Sequence, residues 1–317
     1  MTRQETRGTR SFESIVVIET DHRSTGGAGI NPSMDPTHAV ILSYLHVQPL
    51  IAARNAGHQS VMASLDLGLT TTAVQLGADA VLFPNRQSLS WPIIEVIAKE
   101  KSSCFVVHDN AAEKVYLFSD AFNRAYSLMP TERAPTILNA GFTMHRIVGS
   151  DPYRDTLQKI RSVAPIHGRV LDTVTGLGYT AIEAAKSADH VLTIEIDPTV
   201  LTIARLNPWS RSLFTNPKIT QVVGDTFAEI RTLDDHCFAR IIHDPPSLSL
   251  AGELYSGEYY RQLYRVLQRG GRLFHYIGDL ESGHGGKVAP GVIRRLRDAG
   301  FTRVIRSSQA FGLVAYK

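Results

Sequence analysis

From about residue 151 onward, short apolar runs alternate with segments of helical periodicity. Apolar runs at 170–172, 191–196, 219–223, 239–243 and 272–277 predict buried strands, and 198–206 and 258–268 predict helices between them. This alternation predicts an α/β fold, a parallel sheet with helices on both faces. The last two runs, 303–308 and 311–316, are joined by too few residues for a parallel crossover. They predict an antiparallel hairpin at the sheet edge.

Upstream the pattern differs. Residues 1–35 are polar and become glycine-rich, which predicts a flexible tail. Residues 37–56 read as one or two helices with a break at Pro49. Alternating runs at 61–67, 71–76, 78–83, 104–108, 114–118, 124–129 and 136–138 predict short strands, interrupted by one helix at 90–101. The expected organisation is therefore a tail (1–35), a helical segment with a small β-rich domain (36–148) and an α/β domain (149–317), with the boundary near 144–152.

Composition narrows the functional classes only a little. A formal charge of +3 permits a local basic face without requiring nucleic-acid binding. The two cysteines, Cys104 and Cys237, match no zinc spacing and no disulfide framework, so no metal site is expected and a reducing, cytoplasmic setting is. The apolar stretch 39–53 is interrupted by His46, Gln48 and Pro49 and is too short for a bilayer. The N-terminal arginines lead into no apolar h-region, so neither a secretory signal nor a membrane partner is expected.

The chemistry concentrates at the strand ends. The first α/β strand ends in Asp172, followed by a turn with Gly176 and Gly178 and a helix over 179–187. Glycines there let backbone approach a ligand where a Cβ would collide. Asp172 can accept hydrogen bonds from an ammonium group. Gly176–Ala181 also fits a G-x-G-x-x-A dinucleotide pattern, but Asp172 stands ahead of Gly176 where a dinucleotide fold has its glycine almost at once. The second strand ends at Glu195, placed to take two ribose hydroxyls. Asp197-Pro198 reads as a helix N-cap with proline at the first helical position. Asp225 follows the third strand in Gly224-Asp225-Thr226. The fourth strand runs into His243-Asp244-Pro245-Pro246-Ser247, where two prolines make a rigid turn. Asp244 and the Pro245 carbonyl are placed to accept both hydrogens of an amine. No cysteine lies in or just after that turn, which disfavours covalent activation of a pyrimidine carbon.

The series Asp172–Gly178, Glu195, Asp225 and Asp244-Pro245-Pro246 resembles the class I S-adenosylmethionine-dependent methyltransferases over about the last 165 residues. The resemblance implies a seven-stranded, Rossmann-like sheet with the terminal hairpin. It implies S-adenosylmethionine as cofactor, held by Asp172, Thr173, Gly176, Gly178, Tyr179, Thr180, Glu195, Ile196, Asp225 and Thr226, with Asp225 meeting the adenine amine. The Asp-Pro-Pro turn is similar to that of enzymes methylating exocyclic amines of adenine or cytosine, which implies catalytic roles for Asp244, Pro245, Pro246 and Ser247. Two positions depart from the family. Val174 stands where glycine is frequent, and Ser247 where an aromatic stacks on the base. Tyr255 and Tyr259 are candidates for that stacking, and His275 for a base. A mobile loop over the substrate is expected at 281–287. The arginines at 261, 265, 269, 272, 294, 295, 297, 303 and 306 are equally consistent with a solvated surface and an RNA-facing one.

The favoured expectation is methyl transfer to an exocyclic amine of structured RNA (rRNA or tRNA), with a small-molecule amine as the other acceptor and a homodimer as one assembly open to it. Two rivals stand beside it. One is an aminopropyltransferase of the spermidine or branched-chain polyamine synthase type, which the acids and the Asp-Pro-Pro turn also resemble. The other is a non-catalytic RNA-binding protein with a vestigial cofactor site.

Overall fold

The structure, a computed structural model, describes residues 39–317. The expected tail lies outside the described residues. The N-terminal part contains β1 (Val40–Leu42), α1 (Tyr44–Asn55), β2 (Ser60–Ala63), β3 (Thr72–Leu76), β4 (Ala80–Leu82), β5 (Ser88–Ser90) and α2 (Trp91–Lys99). It continues with β6 (Phe105–His108), β7 (Ala111–Lys114), β8 (Tyr116–Ser119), β9 (Arg124–Met129), β10 (Thr136–Asn139) and β11 (Phe142–Thr143). These strands pair antiparallel into three small sheets, β1-β6-β7, β2-β3-β4-β5 and β8-β9-β10-β11. Val47, Leu50, Val74, Val81, Trp91 and Ile94 share one apolar core.

Two local expectations change here. The start of the predicted 37–56 helix is strand: Val40, Ile41 and Leu42 are all buried and pair with β6, which a three-residue apolar run permits as readily as a helix turn. Pro49 does not break α1. It is exposed, so water can serve the carbonyl that a proline leaves unbonded.

The second part follows as α3 (Pro152–Ser162), β12 (Arg169–Asp172), α4 (Tyr179–Ala185), β13 (His190–Glu195), α5 (Pro198–Leu206), α6 (Arg211–Thr215), β14 (Ile219–Val223) and α7 (Thr226–Glu229). It ends with β15 (Phe238–His243), α8 (Gly257–Val266), β16 (Leu267–Tyr276), α9 (Gly283–Asp298), β17 (Arg303–Ser307) and β18 (Gly312–Tyr316). The seven strands form one sheet in the order β14-β13-β12-β15-β16-β18-β17. β12 to β16 run parallel to one another, and β18 runs antiparallel to both β16 and β17. The terminal hairpin is present. Strand order reverses between β12 and β15, so a crevice opens at their carboxyl ends, where open α/β sheets hold ligands.

Buried Ile241, Leu273, Tyr260, Leu263, Val292 and Leu296 bind α8 and α9 to the sheet, each such side chain contributing about 1.5–3 kcal/mol of transfer free energy. The expected mobile loop at 281–287 is largely helix, because α9 begins at Gly283. Ala289, Val292 and Leu296 are buried at helical spacing, so the apolar stripe that follows draws the glycines into its first turn. Hydrogen bonds join the two parts: Tyr179 Oη to the Pro135 carbonyl (2.9 Å), Trp209 Nε1 to the Leu67 carbonyl (2.9 Å) and Arg146 Nη1 to the Gln309 carbonyl (2.8 Å).

Candidate active site

β12 ends in Asp172, which is fully buried, and Thr173 and Val174 directly after it line the crevice. Asp172 Oδ2 accepts from Thr180 Oγ1 (3.1 Å) and Thr193 Oγ1 (3.0 Å), while Oδ1 is buried without a partner. Burial pushes the Asp172 carboxyl well above its usual value, against the two threonine hydrogen bonds. An unpartnered buried carboxylate oxygen is costly unless a donor arrives. An ammonium is such a donor, and it would restore the charged form.

The glycine turn divides its work. Gly176 N–H donates to Glu195 Oε2 at 2.8 Å, and Gly176 lines the crevice. Gly178 adopts φ +74° as the cap of α4, and a Cβ there would stand 2.6 Å from Leu213 Cδ2. Its glycine is explained by chain packing, away from the crevice. Tyr179 and Thr180 both line the crevice at the start of α4.

Glu195, at the end of β13, is buried, and each of its carboxylate oxygens accepts a backbone N–H. Oε2 takes Gly176 N–H, and Oε1 takes Asp197 N–H at 3.1 Å. Burial raises its carboxyl from 4.5 to about 7, opposed by those two N–H groups. Asp197 caps α5 through Thr199 N–H at 2.9 Å, as its sequence position predicts. Asp225 caps α7 through Phe227 N–H at 2.9 Å and also lines the crevice, so a turn role and a ligand role coexist. Thr173 and Thr226 line it too, with their hydroxyls at His243 Nδ1 (2.7 Å) and Tyr259 Oη (3.0 Å). Exposed Ile196 offers an apolar wall.

These groups surround a cavity of about 190 Å³ that includes Glu195, Asp225, Arg124, Tyr126 and Asn139. A second cavity of about 60 Å³ includes Thr175, Gly176, Thr180, Lys159, Asp244 and Pro245. Met144 and Val174 line both, so the two form one cleft. No cysteine lines it.

At the far end Asp244 meets a side chain the sequence reading did not pick out. Lys159 of α3 is 2% exposed, and its Nζ lies 2.6 Å from Asp244 Oδ2 and 2.7 Å from Asp155 Oδ2. Arg146 Nη1 lies 3.4 Å from Asp155 Oδ1, completing a row of alternating charge. Burial alone would lower the lysine's pKa, but Asp244 and Asp155 outweigh it and hold the ammonium above its usual range. Burial raises the Asp244 carboxyl, and Lys159 opposes that. His145 beside them is kept neutral, at about 3, by burial and then by the charge of Lys159.

The remaining predicted residues scatter. Pro245 is buried on the cleft, whereas Pro246 and Ser247 are exposed, with Ser247 Oγ on Ser249 Oγ at 3.0 Å. Tyr255, Tyr259 and His275 belong to the core, not to a stacking platform. Tyr255 Oη donates to the Pro246 carbonyl (3.0 Å), Tyr259 stacks on Phe227, and His275 Nε2 pairs with Tyr260 Oη (2.8 Å). Burial lowers the His275 pKa well below its usual value, so it is neutral and enclosed. Tyr259, Leu263 and Val266 share helical spacing, the signal that places Tyr259 inside. The arginines divide: Arg265, Arg272 and Arg295 hold backbone carbonyls, while Arg261, Arg269, Arg294, Arg297, Arg303 and Arg306 are exposed.

Among the described residues no group of histidines, cysteines and carboxylates could hold a metal ion, and no helix is long and apolar enough to cross a membrane.

A mixed α/β fold with a seven-stranded sheet and an acid-lined cleft at its switch point defines the class: a Rossmann-like fold, shared with solved spermidine synthases. The chain belongs to the family of the uncharacterized protein MJ1233 of Methanocaldococcus jannaschii, 40% identical over 269 residues that cover 83% of this chain and 91% of that protein. A polyamine aminopropyltransferase of Aeropyrum pernix is 33% identical over 116 residues, 33% of this chain and 37% of that enzyme's length. A spermidine synthase solved with the transition-state analogue AdoDATO superposes with a TM-score of 0.51 at 18% identity, covering 65% of this chain and 75% of that one. The spermidine synthase of Thermotoga maritima superposes with a TM-score of 0.50 at 17% identity, covering 65% and 74%. No family model matches the chain.

Proposed function

We propose that this protein is an S-adenosylmethionine-dependent methyltransferase that methylates an amine nitrogen presented to Asp244. The observation that carries the reading is the single cleft, with nucleoside-type acceptors at one end and Asp244-Pro245 at the other. Glu195 would take the ribose hydroxyls, Asp225 and Ile196 the adenine, and the orphaned Asp172 Oδ1 the ammonium of the amino-acid tail. When bound, the cofactor supplies a methyl group already activated on a sulfonium.

The chain's own residues then align an acceptor. Lys159 holds Asp244 Oδ2, which leaves Oδ1 and the Pro245 carbonyl to accept two amine hydrogens. Tyr255 Oη occupies the Pro246 carbonyl and fixes the turn behind them. Alignment of this kind supplies most of the rate when the electrophile is already activated. An exocyclic amine of structured RNA remains the acceptor proposed, and none of the exposed C-terminal arginines lines the cleft itself. The burial of Tyr255 and Tyr259 means that any stacking on the base would have to come from elsewhere.

Transfer of an aminopropyl group from decarboxylated S-adenosylmethionine is the second reading, favoured by the names of the aminopropyltransferase relatives. One experiment separates the two. The protein is incubated with either donor and with cellular RNA or a set of polyamines, and the nucleoside product is read by mass spectrometry. S-Adenosylhomocysteine with a methylated nucleoside supports the first reading. 5′-Methylthioadenosine with a lengthened polyamine replaces it with the second, and neither product from any acceptor removes both.

A further inference from the structure

The side of α9 turned away from the core is cationic. Ala289, Val292 and Leu296 are buried, while Lys287, Pro290, Arg294 and Arg297 form an exposed stripe at helical spacing on the other side. Arg294 and Arg297 meet Arg306 of β17 in an open groove of about 440 Å³, together with Pro290, Ile293 and Asp298. Among the described residues the side chains of Arg294, Arg297 and Arg306 make no hydrogen bond or ion pair, Asp298 included. Arg265, Arg272 and Arg295 hold carbonyls of the fold, so these three guanidinium groups are set apart from them. The strand register ties the groove to the cleft. His243, His275, Leu313 and Arg306 are successive partners across β15, β16, β18 and β17. Three strand spacings make about 14 Å. Asp244 and Tyr276, each one residue beyond a histidine of that row, both line the cleft.

We propose that Arg294, Arg297 and Arg306 bind backbone phosphates of the substrate RNA and hold the strand beside the cleft. The choice of RNA rests on the function proposed above; the cationic groove does not. A guanidinium presents a planar fork that matches phosphate oxygens in pairs. A polynucleotide carries a phosphate at every nucleotide, so a nucleotide presented to Asp244 brings its neighbours' phosphates towards Arg306. Lys287 continues the stripe towards the start of α9, and from Lys287 to Arg297 the helix runs about 15 Å. Such contacts position a strand without reading its bases. An anionic membrane fits the surface less well. Among the described residues no large apolar side chain of α8, α9, β17 or β18 is exposed for insertion beside the arginines.

The test measures binding of unfractionated tRNA to the full-length protein across a salt series. The wild type is compared with the groove variant Arg294→Gln/Arg297→Gln/Arg306→Gln. A control variant, Arg86→Gln/Lys99→Gln/Lys101→Gln, removes the same charge from exposed positions of the N-terminal part. Loss of three phosphate contacts should flatten the slope of log affinity against log salt by about 2. At about 0.1 M salt the groove variant should bind about 10- to 100-fold more weakly, and the control should stay within about threefold of the wild type. S-Adenosylmethionine affinity should be unchanged in both, because none of the replaced residues lines the cleft. A groove variant that keeps the wild-type slope overturns the proposal, as do equal losses in the two variants. Wild-type binding to phosphatidylserine vesicles without binding to tRNA overturns it too. A wild type that binds S-adenosylmethionine but no tRNA removes the groove and leaves the cofactor reading. One that binds tRNA through the groove but no S-adenosylmethionine keeps the groove and removes the methyltransferase.

Discussion

Glu195 should make donor binding depend on pH in a way that an ordinary glutamate would not. Burial raises its carboxyl from 4.5 to about 7, whereas ribose hydroxyls donate to the charged form. If only the carboxylate binds, affinity at pH 5 should be about 100-fold below its plateau above pH 7, two pH units below the midpoint. Near pH 6 binding should release close to one proton. The stability of the free protein should show the opposite trend. A folded-state pKa above the unfolded one gives a contribution that is complete below pH 4.5 and is lost as pH rises through about 7. The displacement corresponds to about 3 kcal/mol. Glu195→Gln removes the titration but cannot accept from both Gly176 and Asp197 N–H, so about 1–3 kcal/mol of stability should go with it. Titrations from pH 5 to 8 in buffers of differing ionisation enthalpy measure affinity and proton release together. The carboxyls of Asp172 and Asp244 are also raised, so the difference between wild type and Glu195→Gln is the diagnostic quantity. A wild-type affinity that is flat across this range, or an identical slope in the variant, would refute the reasoning.

Asp244→Asn keeps an acceptor for Lys159 but loses the charge. Transfer should fall about tenfold to more than 100-fold with donor affinity changed only a few-fold, and unchanged turnover would exclude Asp244 from the chemistry. Gly178→Ala places a Cβ 2.6 Å from Leu213 Cδ2 at φ +74°, so unfolding should show a loss of about 1–3 kcal/mol. Adding Leu213→Ala should recover nothing from the backbone strain but remove the collision, and a fully additive pair would mean no contact is made. The chain shortened to begin at Ser150 should still unfold cooperatively, but it should bind donor more weakly, because Arg124, Tyr126, Asn139 and Met144 line the cleft; an unfolded product would mean the two parts share one folding unit.

The parts legible in the sequence are those whose meaning is local. Asp172, Glu195 and Asp225 stand out because each closes a strand or opens a helix within a few residues. The hairpin at β17 and β18 is legible because a short connection admits only one geometry. Gly178 was legible as a required glycine but not for its reason, which lies with Leu213 in another helix. Tyr255 and Tyr259 follow a loop beside the predicted site, and proximity in sequence could not say that their rings turn inward. Lys159 carried no local signal beyond an aspartate four residues before it, a pattern that usually marks an exposed helix pair. Its partner Asp244 comes 85 residues later in the chain, after β12, β13 and β14, and the sheet order, which sets β15 directly beside β12, brings the two together.

The row Arg146–Asp155–Lys159–Asp244 changes how the two parts of the chain relate to the chemistry. Arg146 lies between the small sheets and α3, and it also holds the Gln309 carbonyl beside the terminal hairpin. Asp155 and Lys159 are both buried, so each charge depends on its neighbours for compensation. Removing one partner from such a set typically costs about 3–5 kcal/mol, far more than a surface pair. The position of Asp244 is therefore not set by the Asp-Pro-Pro turn alone. It is coupled, through two ions of α3, to the segment that enters from the N-terminal part and supplies Met144 and His145 to the cleft. An acceptor that displaced this segment would act on the orientation and charge of Asp244 as well as on the room available beside it. The N-terminal part is then tied to the Asp244 end of the cleft by electrostatics, and under the proposed function it would bear on the alignment of the acceptor as well as on its recognition.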